Sequence, residues 1–196
     1  MSCALHHPGT YTLADWDSLD HAPDGPRIEL IGGRFEMTPP PAYTHQLLSD
    51  ELRLLVRTAL REARKDDLRV VSAIGVALAA DTAVIPDLVV VRALPDGAVR
   101  AEAADVLLAV EIVSPGSRKV DRMVKPTAYA EAGVRWFWRV EPTPGEPPTV
   151  VCFELDGTDY AKQATVTGDE SQVVRVADID VTLDLARLYR GAFPAG

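Results

Sequence analysis

Glu111 interrupts an otherwise unbroken apolar run, Val106-Leu-Leu-Ala-Val-Glu111-Ile-Val113. A run of that kind is a strand buried on both faces. An ionised carboxylate inside it is costly unless it is paired with a cation. A second run, Val84-Ile-Pro86-Asp87-Leu-Val-Val-Val91, puts another carboxylate at the head of a buried strand. Two carboxylates on neighbouring core strands, with lysines nearby, suit a hard divalent cation such as Mg²⁺ or Mn²⁺. Such an ion takes carboxylate, carbonyl and water oxygens, lowers the pKa of a bound water and offsets charge developing on a phosphate. A lysine beside it would orient the water or stabilise the transition state. The plainer alternatives are a Glu111 paired with a buried Lys or Arg, and an Asp87 that only serves a Pro-Asp turn.

The elements that must position these groups follow from periodicity. Arg27–Ile31 and Arg34–Met37 flank Gly32-Gly33, which predicts a β-hairpin. Pro39-Pro-Pro41 ends it. Between about Thr44 and Lys65, Leu47, Leu48, Leu52, Leu55, Val56 and Leu60 recur at helical spacing and predict the longest helix. Segments 68–78, 84–91 and 106–113 read as strands. Ser114-Pro115-Gly116-Ser117 breaks the last of these, and a helix should run from about 120 to Ala132, with Gly133 as its C-cap. Pro126 is tolerated there if the helix begins near Lys125. Strands are expected at 134–140, 149–155, 158–166 and 172–176, a loop at 142–148, and a final helix at 181–189. Thr12 and Asp15 offer a capping box upstream. The fold class is α/β: a mixed β-sheet flanked by helices, with an N-terminal hairpin. Residues 1–26 read as a lead-in segment and 27–196 as one domain.

Composition bounds the function. The 196 residues are 47% apolar and 25% charged, enough for one domain with a sizeable core. No apolar stretch approaches the roughly 20 residues that cross a bilayer, so no membrane is expected. The start of the chain lacks a secretory pattern, and Cys3 and Cys152 lack metal-ligand spacing; a reduced, cytoplasmic setting is the expectation. A net charge of −9 argues against a protein that coats nucleic acid nonspecifically. It leaves room for a nuclease, whose own site is acidic. Arg53, Arg57, Arg61, Arg64 and Lys65 recur at helical spacing and read as a solvated face. Ser114 and Ser117 lack the His and Asp that a serine hydrolase needs.

An ordered set of motifs runs through residues 27–141: Ile28-Glu-Leu-Ile-Gly-Gly-Arg34, Met37-Thr-Pro-Pro40, His45-Gln46, Pro86-Asp-Leu-Val-Val90, Val110-Glu-Ile-Val-Ser-Pro115, Asp121 to Lys125, and Tyr129-Ala-Glu-Ala-Gly-Val134 to Trp138. In order and spacing the set resembles the Uma-type restriction endonuclease family of the PD-(D/E)XK nuclease superfamily. The resemblance implies a restriction-endonuclease-like fold and a metal-dependent DNA endonuclease, with DNA as substrate and a homodimer plausible. The superfamily pattern is Asp, then Glu-X-Lys. Here Val113 stands where the lysine belongs, and Lys125 on the following helix matches the family's displaced lysine; Lys119 is the rival. The resemblance thus implies Asp87 and Glu111 as metal ligands, Lys125 as catalytic lysine, and Glu29 and His45 as accessory residues. If Lys125 has this role, its ammonium should lie within about one water of the carboxylate pair.

Asp121 reads as a helix N-cap, and Trp136, Phe137 and Trp138 read as core rather than as a base-stacking surface. The competing function is a catalytically inactive nuclease-fold module that binds nucleic acid or a protein; Val113 and the acidic charge favour it. A non-nuclease metallohydrolase would want histidine ligands that the chain does not supply.

Overall fold

The computed structural model describes residues 10–19, 26–38, 40–169 and 171–193. Most of the lead-in segment, Cys3 and Pro39 lie outside them.

Alternating apolar residues build two main sheets. The first has five strands in the order β2-β1-β5-β4-β7, namely β1 (Arg27–Ile31), β2 (Arg34–Thr38), β4 (Gly75–Ala79), β5 (Thr82–Val84) and β7 (Arg100–Glu102). The second has six, ordered β11-β10-β9-β8-β6-β3, with β3 (Leu68–Ser72), β6 (Leu88–Arg92), β8 (Val106–Ile112), β9 (Trp136–Thr143), β10 (Glu146–Asp156) and β11 (Asp159–Val166). A separate hairpin joins β12 (Ser171–Val176) to β13 (Ile179–Asp184). The predicted α/β class and the N-terminal hairpin are both present. Its two-glycine turn takes φ of +55° and +74° at Gly32 and Gly33, a conformation that costs a glycine little.

Strand β8 is the spine of the larger sheet. It runs antiparallel to β6 and parallel to β9, and the parallel link requires the helical crossover between them. Side chains of β8 alternate between two cores. Leu108, Val110 and Ile112 meet Leu48, Leu52, Val56 and Leu60 of the long helix α2 (Tyr43–Glu62), with β12, β13 and the last helix α4 (Leu185–Ala192). Ala109 and its same-face neighbours Val89, Val91 and Phe137 meet Val76 and Val84 of the five-stranded sheet and Tyr129 of the crossover helix α3 (Lys125–Glu131). Glu111 shares the parity of Ala109 and so points into this second layer. A short helix α1 (Leu13–Asp17) seats Trp16 against Leu30, with both parts of the Thr12–Asp15 capping box formed. No helix among the described residues is long and apolar enough to cross a membrane.

Several boundaries depart from expectation. The run 68–78 is two strands in two different sheets, because Ala73 takes φ +53° and turns the chain. Expected loop 142–148 is a tight hairpin tip: β9 and β10 pair as far as Thr143 and Glu146, around Gly145 at φ +78°. Segment 181–184 is strand, not helix; Ile179, Val181 and Leu183 are buried at period two, and Asp184 caps α4 by accepting from the Arg187 amide. The small strand β7 and the 3-10 turn at Ala103–Asp105 were not anticipated. Phe137 and Trp138 are core, as expected, and Trp136 is half-buried beside Arg135.

Cys152 is buried in the α2 core, and burial pushes its thiol up to about 12. The thiolate is the reactive form. At pH 8 iodoacetamide should therefore leave Cys152 unmodified in the folded protein and label it in urea, as read by peptide mass spectrometry. Native-state labelling at the rate of a free thiol would contradict this burial.

Candidate active site

The β6–β8 pairing sets Leu88 opposite Val110. Continued back by one residue, this register brings Asp87 alongside Glu111. Asp87 precedes β6 and accepts hydrogen bonds on both oxygens. Arg27 Nη1 reaches Oδ1 at 2.7 Å, while His45 Nε2 at 3.1 Å and the Ile112 amide at 2.9 Å reach Oδ2. Burial alone would push Asp87 up, but His45, the Arg27 guanidinium and the Ile112 amide more than offset this and bring it down to about 2. Asp87 is therefore ionised at neutral pH and can only accept. Nε2 of His45 must carry the shared proton, and its buried Nδ1 meets no partner among the described residues.

Glu29 comes from the other sheet. It is buried on β1, where Oε1 accepts from the Ile85 amide at 2.7 Å. Glu111 is buried on β8, where Oε1 accepts from the Tyr129 hydroxyl at 2.6 Å. Lys125 enters between them. Its ammonium lies 2.9 Å from Glu29, 3.1 Å from Glu111 and 3.7 Å from Asp121.

Helix geometry explains this reach. Chain 120–124 forms a wide π turn, after which Lys125 opens α3 with Pro126 in the first turn, where its missing N–H is harmless. Asp121 is not an N-cap. It sits inside the π turn, buried, with its carboxylate turned toward Lys125.

The electrostatics are those of a charged cluster withdrawn from water. Burial pushes Glu111 well above the usual carboxylate range; Lys125 opposes that, while Asp87, Asp121 and Glu29 add to it. Asp121 is raised for the same first reason. Burial would lower Lys125, but Glu111, Glu29 and Asp121 outweigh it and hold the ammonium above its ordinary value. Lys125 is a fixed cation, not a proton acceptor.

All five residues expected from the sequence, Glu29, His45, Asp87, Glu111 and Lys125, thus line one cavity of about 920 Å³. The Lys125 ammonium contacts the Glu111 member of the expected pair directly. Lys119 is exposed and Val113 is buried as an apolar residue. Arg27, Asp121 and Tyr129 also belong to the cluster; Asp121 reads from the sequence as an N-cap rather than a ligand, and Arg27 and Tyr129 carry no site reading there. Tyr129 and Asp121 did leave a signal, each four residues from Lys125 on one helical face.

Among the described residues no three His, Cys, Asp or Glu side chains form a ready-made cation cage. The carboxylates converge on the Lys125 ammonium instead. The donor set still suits a hard cation. Four buried carboxyl groups, Glu29, Asp87, Glu111 and Asp121, face two permanent cations, Arg27 and Lys125, and the raised values of Glu111 and Asp121 mark negative charge that a divalent ion would balance. Mg²⁺ in particular takes one or two carboxylates with waters and substrate oxygens rather than a full protein cage.

Comparison with known proteins agrees with this architecture. No curated protein matches the chain. A solved structure from Anabaena variabilis, described as a "putative nuclease belonging to DUF820", superposes with a TM-score of 0.68 over 93% of this chain and 99% of that one. Its sequence is 18% identical, so the likeness is one of fold. The family model named Uma2, described as "putative restriction endonuclease", matches residues 13–186, which span every group of the cluster. The chain belongs to the Uma2 family.

Proposed function

We propose that this protein is a divalent-metal-dependent DNA endonuclease that hydrolyses phosphodiester bonds at the Asp87–Glu111 pair. The observation that carries the reading is the convergence of Glu29, Asp87, Glu111 and Lys125, from two sheets and a helix, on one cavity. A surface patch of acids would not need buried strands to build it, and buried carboxylates are too costly to keep without a use.

A bound Mg²⁺ or Mn²⁺ supplies a Lewis acid that makes water nucleophilic near neutral pH and offsets phosphate charge. The chain's own residues then have distinct tasks. Asp87 and Glu111 would hold such an ion. Arg27, His45 and the Ile112 amide fix the Asp87 carboxylate in one orientation. Lys125, kept protonated, stabilises negative charge on the phosphate as it is attacked. Glu29 anchors the Lys125 ammonium from the opposite sheet. Two such sites related by a two-fold axis would cut both strands, which makes a homodimer the expected working form.

The test is cleavage of plasmid and linear DNA with Mg²⁺ or Mn²⁺ by wild type, Asp87→Ala, Glu111→Ala and Lys125→Ala. Nicking that needs the ion and disappears in all three variants is the expected result. Absence of cleavage by the wild type, or cleavage that survives every substitution, would replace this reading with that of an inactive nuclease-fold binding module.

A further inference from the structure

We infer that Tyr129 is a positioning residue for Glu111, one that occupies Oε1 so that Oε2 is presented to the cation. The inference rests on the proposed metal-dependent reading and extends it to a residue that the Asp, Glu-X-Lys pattern does not include.

The geometry is specific. Tyr129 is fully buried, and its hydroxyl donates to Glu111 Oε1 at 2.6 Å. The nearest approach of Lys125 to Glu111, 3.1 Å, falls on the same oxygen. Lys125 and Tyr129 are four residues apart on α3, so one helical face delivers an ammonium and a hydroxyl to a single oxygen. Oε1 thus carries the hydroxyl's hydrogen bond and the nearest contact of the ammonium, which leaves Oε2 with the greater coordinating capacity.

The tyrosine ring is itself held in place. It packs in the core with Val134 and Phe137, the Phe137 centroid lying 5.7 Å away. The Val134 amide closes the helix end onto the Tyr129 carbonyl at 2.9 Å, next to Gly133 at φ +77°. Tyr160 ties the Val134 carbonyl from β11. A rigid ring with its hydroxyl on a carboxylate fixes that carboxylate's torsion, and outer partners of this kind typically change metal affinity about 10- to 100-fold. A tyrosine that merely fills the core would satisfy its hydroxyl without affecting ion binding.

Calorimetric titration of Mn²⁺ into the 196-residue protein separates these roles. The forms to compare are wild type, Tyr129→Phe, Glu111→Gln and the double variant, with melting temperatures in EDTA alongside. Phenylalanine keeps the ring contacts. Tyr129→Phe is expected to weaken Mn²⁺ binding about 10-fold or more, with a modest drop in metal-free melting from the lost hydroxyl bond. In the Glu111→Gln background the same substitution should have no further effect. Mn²⁺ should also perturb the tyrosine ultraviolet spectrum of wild type, and that perturbation should be missing from Tyr129→Phe. Unchanged affinity in Tyr129→Phe, with affinity lost in Glu111→Gln, would overturn the role of Tyr129 alone. Wild-type affinity retained in Glu111→Gln would overturn the metal site and this inference together.

Discussion

Lys125→Met is expected to abolish cleavage and to destabilise the metal-free protein by about 3–5 kcal/mol at neutral pH, the usual result of removing one partner from a buried charge cluster. Methionine matches the lysine stem in volume, so packing is largely conserved and the effect is electrostatic. Without the ammonium, Glu29, Glu111 and Asp121 face one another as buried carboxylates with no cation between them. The pH dependence has a definite sign. Glu111 and Asp121 already have raised values in the folded protein, and losing Lys125, which lowers both, raises them further. An acid with a raised folded pKa contributes stability below its unfolded pKa and loses it as pH rises through the folded value. The deficit of Lys125→Met should therefore be largest at pH 8 and shrink toward pH 4. Divalent ions should stabilise the variant more than the wild type, because they enter a more negative site. Urea denaturation at pH 8 and pH 4.5, with and without Mg²⁺, measures all of this. A deficit independent of pH and of Mg²⁺ would mean that Lys125 acts through packing and not through its charge.

How far the sequence reached follows from the range of each signal. Features written in a local window were legible. The hairpin rested on two glycines, α2 on six apolar residues at helical spacing, and the end of α3 on Gly133. The buried pair Asp87 and Glu111 was also legible, because an acid in an apolar run stands out wherever it falls. Windows that fit two periods misled. Val181, Leu183, Leu185 and Leu188 serve a strand and then a helix, and only the buried Ile179 and the capping Asp184 separate the two. Ala73 gave no warning of a turn, since a non-glycine residue at positive φ is set by its surroundings rather than by its type. Arg27 was invisible for another reason. It meets Asp87 across 60 residues, and only the folded pairing of β1 with β5 brings the two together. The placements of Glu29 and Lys125 came through family resemblance; no periodicity would have set them 2.9 Å apart.

Asp87→Asn and Glu111→Gln should both lose cation binding and cleavage, yet change the stability of the metal-free protein in opposite directions. Asp87 falls from 3.8 to about 2 on folding. A depressed carboxylate contributes stability above its unfolded pKa and loses it as pH drops through the folded value, so Asp87 contributes about 2 kcal/mol at neutral pH. Asparagine forfeits that, and it leaves Arg27 without its anionic partner. Its deficit should be full above pH 5 and close between about pH 4 and pH 2. Glu111 is the reverse case. Burial and three neighbouring carboxyl groups raise it, so its ionised form costs stability at neutral pH. Glutamine removes that cost while its carbonyl oxygen can still accept from Tyr129, and Lys125 keeps Glu29 and Asp121. Glu111→Gln should thus melt above the wild type at pH 8, with the gain fading toward pH 4. The contrast separates the two carboxylates by what holds them. Asp87 is supported by a guanidinium, an imidazole and an amide, whereas burial and the neighbouring carboxyl groups work against the ionised form of Glu111. Stability that a protein gives up at one buried residue is characteristic of a site kept for function. Melting curves at pH 8 and pH 4 in EDTA give the comparison directly, and a Glu111→Gln protein less stable than wild type at pH 8 would show that Glu111 is a structural partner of Lys125 and not a strained ligand.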